Sequence, residues 1–581
     1  VRDYEYAVAT RTWVLTEGAG QREEASITID DGPNIRSELR VVADPNAGEV
    51  HRSRRKYQTF GWGEGLVEVR EGSDSAPEIT TYAYYSSGPS GYFGTVVPIQ
   101  SIVHPDGLWE YHEPLDSSGR ETAVLTSWGN QALTSSASLC RATYYNYAPV
   151  GSGDDGSIEP RTARTVVEKV LGHEVSRAYV VLKPGERQDI RCQTPGAAWN
   201  ATDNLVTITK YYTTGSNANR IKSQKQPDGT LSLYQYVDNG TRTTTVAAGQ
   251  PNGTDSAIVD GTQTVTVIDA LGYLVSRTVT DIASGITIAS QVHSNTDEFG
   301  RPRTTSFMDG SQEDSEFACC GLDTFTDRSG LTTQYWYDEL GRLTASSQLG
   351  ITVTNLLDAS GNTLMTKRIG TDSSELVLGQ SGYDLAGQRT HSVNAMGAIT
   401  TFSKDTDPNG QTVRTTTYTN GSTRIEVYLR DGTMAQITGT AVHPVRYDYG
   451  IESEGGIQRL FVTETKLDHS GQPTSEAVKT YQDMLGRDYK VLYGDGSAGW
   501  SFYNAKGQLW KQVDPDGVAT LYQYNAKGEP EYTIVDMDRD DVVDFSGMDR
   551  INRTVRTVLY NGTVSTTDGF KAAWRTCWTC C

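Results

Sequence analysis

Apolar residues along this chain fall in short alternating runs. Thr332-Thr-Gln-Tyr-Trp-Tyr337 and Ala519-Thr-Leu-Tyr-Gln-Tyr524 are of this kind. Alternation sends successive side chains to opposite faces of a strand, so these runs predict half-buried β-structure. Turn signals bound the runs at a regular frame. Tyr337-Asp338-Glu-Leu-Gly341-Arg342 is matched by Tyr383-Asp384-Leu-Ala-Gly387-Gln388, Tyr503-Asn504-Ala-Lys-Gly507-Gln508 and Tyr524-Asn525-Ala-Lys-Gly528-Glu529. Asp483-Met-Leu-Gly486-Arg487 keeps the same spacing, with Asp or Asn three residues before Gly. A second turn lies between these, often as Pro-Asp-Gly, as at Pro227-Asp-Gly229 and Pro515-Asp-Gly517.

Gly486, Gly496, Gly507, Gly517 and Gly528 recur in alternating steps of 10 and 11 residues, so a full unit is 21 residues. Two turns per unit leave strands of roughly 5–7 residues, an ordinary length. A fixed period of this size marks a repeat architecture. Within the unit, the Asp or Asn side chain bonds its own backbone and starts the turn, and Gly supplies the positive φ. Tyr335, Tyr337, Tyr383, Tyr503, Tyr522 and Tyr524 stand at corresponding strand positions. The expectation is that their rings stack from unit to unit as an aromatic ladder. A lone hairpin is not stable in water, so the units must stand side by side. The predicted fold is all-β, a spiral array of stacked β-hairpins.

The pattern divides the chain. Clear units occupy 261–535, degenerate ones 81–260, and strands without a clean unit 1–80. An Asp-rich loop follows at 536–550 and further strands at 551–581. The chain starts at Val1 and stops at Cys581 within a strand-like run. The expectation is that it continues into neighbouring repeats of a longer protein.

Composition narrows the function classes. With 581 residues, 58 Gly, 32 Tyr and a net charge of −21, the chain would repel nucleic acid overall. Its one basic cluster, His51-Arg-Ser-Arg-Arg-Lys56, reads as a solvated strand. No run of about 18 apolar residues is present to span a membrane as a helix.

"TTQYWYDELGRLTASSQLG" and "DPDGVATLYQYNAKGEP" resemble units of the YD-repeat family, also called Rhs repeats. The resemblance implies a continuous sheet of hairpins wound as a spiral. In toxin-complex and Rhs effector relatives that spiral encloses a toxin, and in teneurins it forms a large extracellular barrel. Shell-forming effectors carry a Gly/Asn/Tyr/Pro-rich autoprotease signature after the repeats, and no such block stands here. Asp407-Pro-Asn-Gly410 and Asp514-Pro-Asp-Gly517 echo only a fragment of it, inside repeats. No catalytic pair is therefore carried over.

The strongest ligand pattern is Asp536-Met-Asp538-Arg-Asp540-Asp541-Val-Val-Asp544. Carboxylates at loop positions 1, 3, 5 and 9 suit calcium, so Asp536, Asp538, Asp540 and Asp544 are the expected ligands. Position 6 is Asp541 rather than Gly and position 12 is Gly547 rather than Glu, which leaves Asp549 to substitute from outside. A solvated acidic loop is the alternative.

Cys577-x-x-Cys580-Cys581 has half a zinc pattern without a second half, and Cys319 and Cys320 read as packing or turn residues. The eight histidines are dispersed. His104 to His112 is the densest patch and overlays on a repeat. No Gly-x-Ser-x-Gly or His-Glu-x-x-His is present. Trp336, Trp500 and Trp510 on strand faces could stack on sugar rings. The leading expectation is a non-catalytic, secreted or cell-surface structural protein that encloses a toxin cargo or self-associates. A glycan-binding or carbohydrate-active protein with a carboxylate and aromatic groove is the second.

Overall fold

The computed structural model describes residues 2–17, 22–44, 48–86, 99–151, 153–318, 321–545, 547–558 and 564–572. Cys319, Cys320, Cys577, Cys580 and Cys581 lie outside them. Among the described residues there is no helix, and 44 strands form one sheet. Numbered in chain order, they run from β1 (Arg2–Ala7) to β44 (Val564–Ala572). Each pairs antiparallel with its neighbours in the chain, as β1 does with β2 (Thr12–Glu17) and β43 (Arg550–Val558) with β44. The result is a meander, a ribbon one strand long and many strands wide. Positions 80 and 260 fall inside β7 (Glu78–Tyr84) and β19 (Ile258–Ile268), so the ribbon crosses both without a break.

The repeat turn shapes the ribbon. Asp338 Oδ1 accepts the Leu340 and Arg342 amides at 3.0 and 2.9 Å. Asp384, Asp483, Asn504 and Asn525 hold their turns through the same two amides. Gly341, Gly387, Gly486, Gly507 and Gly528 close them with φ between 74° and 80°.

A β-bulge follows each of these turns. Between β25 (Thr332–Tyr337) and β26 (Leu343–Gln348), Trp336 pairs with Ala345 and Tyr337 with Leu343, which leaves Thr344 extra. Thr390, Tyr489, Trp510 and Glu531 are extra in the same way, each six residues after its turn Asp or Asn. At the opposite edge, β26 pairs with β27 (Ile351–Leu357), and β38 (Asp488–Tyr493) with β39 (Ala498–Tyr503), without a shift. A bulge bends its strand and adds twist. Bulges recur at this edge in most clear repeats and only intermittently at the other, as at Thr366–Lys367 and Thr465–Leu467, so the ribbon bends mainly one way and curls.

The curl closes on itself after about 300 residues. The Gly129 amide donates to Asp431 Oδ2 at 2.5 Å across 302 residues of sequence. Lys404 pairs with Glu78 at 2.8 Å, and Arg487 donates to Gln193 Oε1 at 3.1 Å. The meeting edges are always the same two. Gly129 follows the even-numbered β10 (Ala123–Thr126), and Asp431 follows the odd-numbered β33 (Thr423–Tyr428). Twenty-three strands separate β10 from β33. At about 4.8 Å per strand the winding is about 110 Å around, or about 35 Å across.

Little of the chain is deeply buried. Apolar burial gathers in three clusters where long loops lie on the sheet. One holds Trp109, Leu125 and Cys140; one holds Val181, Ile190 and Cys192; one holds Leu521, Ile534 and Ile551. The total accessible surface is 32160 Å². A compact protein of 63.5 kDa would expose about 20,000 Å². The excess of about three-fifths is what a thin wall, wet on both faces, exposes.

Candidate functional site

The repeat tyrosines do not stack on one another. Successive units lie two strands apart, about 9–10 Å, beyond the 4.5–7 Å range of ring contacts. The hydroxyls bridge that gap instead. Tyr337 donates to the Leu322 carbonyl at 2.9 Å, Tyr524 to Leu509 at 2.8 Å and Tyr383 to Thr363 at 3.3 Å. Leu509 and Thr363 each begin the strand leaving the previous turn of this type, and Leu322 likewise begins the strand before that of Tyr337. Tyr522 bonds Gln512 Oε1 at 2.6 Å, and Tyr335 is half-buried opposite Ser346. Arginine links units forward. Arg342 pairs with Asp338 at 2.7 Å and donates to the Asp358 carbonyl at 2.5 Å. Arg487 does the same with Asp483 and the Gly507 carbonyl, and lies 3.7 Å over the Tyr503 ring.

The rings that touch form a different series, one that uses every strand. Phe461, Tyr481, Tyr489, Trp500, Phe502 and Trp510 follow one another at centroid steps of 6.2, 6.5, 6.3, 6.4 and 6.4 Å. Tyr489 and Trp510 are bulge residues, and the bulge brings them onto the face of their neighbours.

The acidic loop is the one place among the described residues where three ligand-type side chains converge. Oxygens of Asp536, Asp538 and Asp549 lie within 4.8 Å of one another. Asp536 is fully buried and Asp549 2% exposed. Asp536 accepts the Arg539 and Asp541 amides at 2.7 and 2.9 Å, and Asp549 accepts those of Met537 and Asp544 at 3.1 and 3.0 Å. Neither has an ion-pair partner among the described residues. Two buried carboxylates without a cation are costly. Desolvation first, then the carboxylates of Asp540, Asp536 and Asp549, push the Asp538 pKa up. Asp540 and Asp544, expected from sequence as ligands, are not in this group: Asp540 turns to the Val542 amide at 2.8 Å. Asp549 joins because the chain folds back over the cluster of Leu521, Ile534 and Ile551, against which Val543 packs.

The His104–His112 patch stays within hairpins. His112 Nδ1 lies 3.0 Å from Glu121, and Trp109 is buried with its indole N–H on the Gln131 carbonyl at 2.8 Å. Trp336 is 40% exposed on β25. Sequence reasoning missed Arg164, which is 1% exposed beside the fully buried Asp154 at 3.1 Å. Its other donors cap the carbonyls of Asp155, Ile158 and Thr162. No motif marks that arginine; only the folded loop does.

No protein-family model matches the chain, and no curated protein matches it. Among solved structures it is similar to a chain of a TcdB2-TccC3-Cdc42 crystal structure, at 11% identity and a TM-score of 0.30, over 94% of this chain and 34% of that one. A Photorhabdus luminescens Tc holotoxin pore gives 11% and 0.30, over 96% and 33%. TcdB2-TccC3 without its hypervariable C-terminal region gives 8% and 0.26, over 94% and 49%. The chain spans a third to a half of the length of these chains.

Proposed function

We propose that this chain is a segment of a hollow β-wall of the YD-repeat kind, exported or displayed at the cell surface, whose role is to enclose another polypeptide. The observation that carries this reading is the exposed area. A sheet of 44 strands that leaves 32160 Å² wet does not pack its faces into a core. It curls through bulges that recur mainly at one edge and meets itself edge to edge. That geometry surrounds a space.

In the same reading the acidic loop holds calcium. Three convergent carboxylates, two of them buried, are hard oxygen donors of the kind calcium takes. The ion would offset the charge of Asp536, Asp538 and Asp549 and fix the loop over the last clear repeats. Millimolar extracellular calcium suits such a site.

Protease treatment of the native particle tests enclosure. A co-purifying polypeptide that survives protease until the wall is unfolded is the expected result. Particles that hold nothing, or that join end to end as fibres, would overturn enclosure.

A further inference from the structure

Two phenols in the series of touching rings are bonded to carboxylates. Tyr489 Oη donates to Glu454 at 2.7 Å, and the Tyr481 hydroxyl donates to Glu452. Both glutamates stand on β35 (Val445–Glu454). Lys490 Nζ donates to Glu454 at 2.9 Å and Lys479 Nζ to Glu452 at 2.5 Å. Lys479 first holds Glu452 below the usual carboxylate range. For Glu454, burial pushes up and the bonds from Tyr489 and Lys490 outweigh it. Both are therefore ionised at neutral pH.

The repeat tyrosines differ. Tyr337, Tyr383 and Tyr524 give their hydroxyls to backbone carbonyls, which do not take the proton. Tyr57 and Tyr428 reach Glu38 and Glu426 only at 3.4 and 3.3 Å, and belong to no series of touching rings among the described residues.

Packing accounts for the rings, but not for ionised bases on the phenols of this one series. A tyrosine gives up an electron at neutral pH only as its proton leaves. The oxidised phenol is so acidic that even a weakly basic carboxylate takes that proton. An indole loses an electron without needing such a base. Here both kinds of ring stand in line. Tyr481 is 4% exposed, Tyr489 touches it, and Trp500 touches Tyr489. Phe502 touches Trp500 and Trp510 and bridges them, and Trp510 is 37% exposed.

We propose that this series is a one-electron relay, in which an oxidising equivalent that strikes Trp510 is passed through Trp500 to Tyr489, whose phenol proton goes to Glu454. Trp510 loses one electron to an oxidant such as a peroxyl radical, which takes a solvent proton and leaves as the hydroperoxide. Trp500 refills Trp510, and Tyr489 refills Trp500. A neutral tyrosyl radical and a protonated Glu454 remain. One electron from a thiolate or ascorbate restores Tyr489, and Glu454 returns the proton. The exposed indole is thus spared, whether or not the wall encloses a cargo.

Trp336 is the matched control. It is 40% exposed, pairs with Ala345, and touches no other ring among the described residues. The intact chain is treated with light-generated tris(bipyridine)ruthenium(III), a one-electron oxidant, and oxygen added at each tryptophan is followed by peptide mass spectrometry. Trp510 should oxidise several-fold more slowly than Trp336. Tyr489→Phe keeps the ring and removes the oxidisable phenol. It should bring Trp510 to the rate of Trp336 and leave Trp336 unchanged, and Glu454→Gln should raise Trp510 part of the way. Equal rates at the two tryptophans in the unsubstituted chain would overturn the relay. So would a slow Trp510 that stays slow in Tyr489→Phe.

Discussion

The Asp431 carboxylate holds the Gly129 amide although 302 residues separate them. Around this bond Ser127 donates to the Arg430 carbonyl, and Asn130 Nδ2 to the Asn409 carbonyl at 2.9 Å. Gly410 closes its turn here at φ 79°, a left-handed conformation in which a side chain would be strained. The backbone ladder runs along the ribbon, so turns and strand ends stitch one winding to the next.

That seam should be acid-sensitive at Glu78. Burial alone would raise its pKa, but hydrogen bonds from Lys404 and Gln388 outweigh it and hold it low. A depressed carboxylate stabilises the fold above its unfolded pKa and loses that contribution as pH falls through the folded value. Seam protection in hydrogen exchange should therefore fall below about pH 4.3. Glu78→Gln should cost about 1 kcal/mol at neutral pH and flatten this part of the pH profile. An unchanged profile would exclude Glu78 as its source.

The unit-to-unit hydroxyl bonds are separable from packing. Tyr337→Phe and Tyr524→Phe keep the ring and lose the bond to Leu322 or Leu509. Each should cost about 0.5–1.5 kcal/mol in denaturant unfolding. The double variant should lose close to the sum, because the sites are far apart.

Arg164 and Asp154 form a fully buried pair that pins a loop over Val181, Ile190 and Cys192. Arg164→Leu strands the Asp154 charge and should cost about 3–5 kcal/mol locally. Cys192, whose thiol burial pushes up to about 11, should become reactive to thiol reagents in the variant while Cys140, in another cluster, stays protected.

Calcium at 100 times its Kd should raise stability by about 2.7 kcal/mol. Asp536→Asn and Asp549→Asn should abolish that gain in thermal melts, and Asp540→Asn should preserve most of it. Equal losses in all three would favour the set expected from sequence over the set the fold brings together.

The repeat was legible because its signals are local. Asp338 bonds amides two and four residues on, and Gly341 takes a left-handed φ, so four residues of sequence carry the turn. The bulges at Thr344, Tyr489 and Trp510 depend on cross-strand register, which no single strand encodes. The expected tyrosine ladder failed on spacing: units two strands apart put rings out of reach while leaving hydroxyls within it. Asp549 and Arg164 were invisible for a related reason. Each acquires its role only when a loop closes over the sheet.

The central claim is a thin ribbon wound nearly twice around an open space, and electron microscopy of the purified particle tests it most directly. End-on views should show a ring about 35 Å across between backbones, one strand thick, with two windings in side view. A solid particle whose sheet faces pack against each other would contradict it.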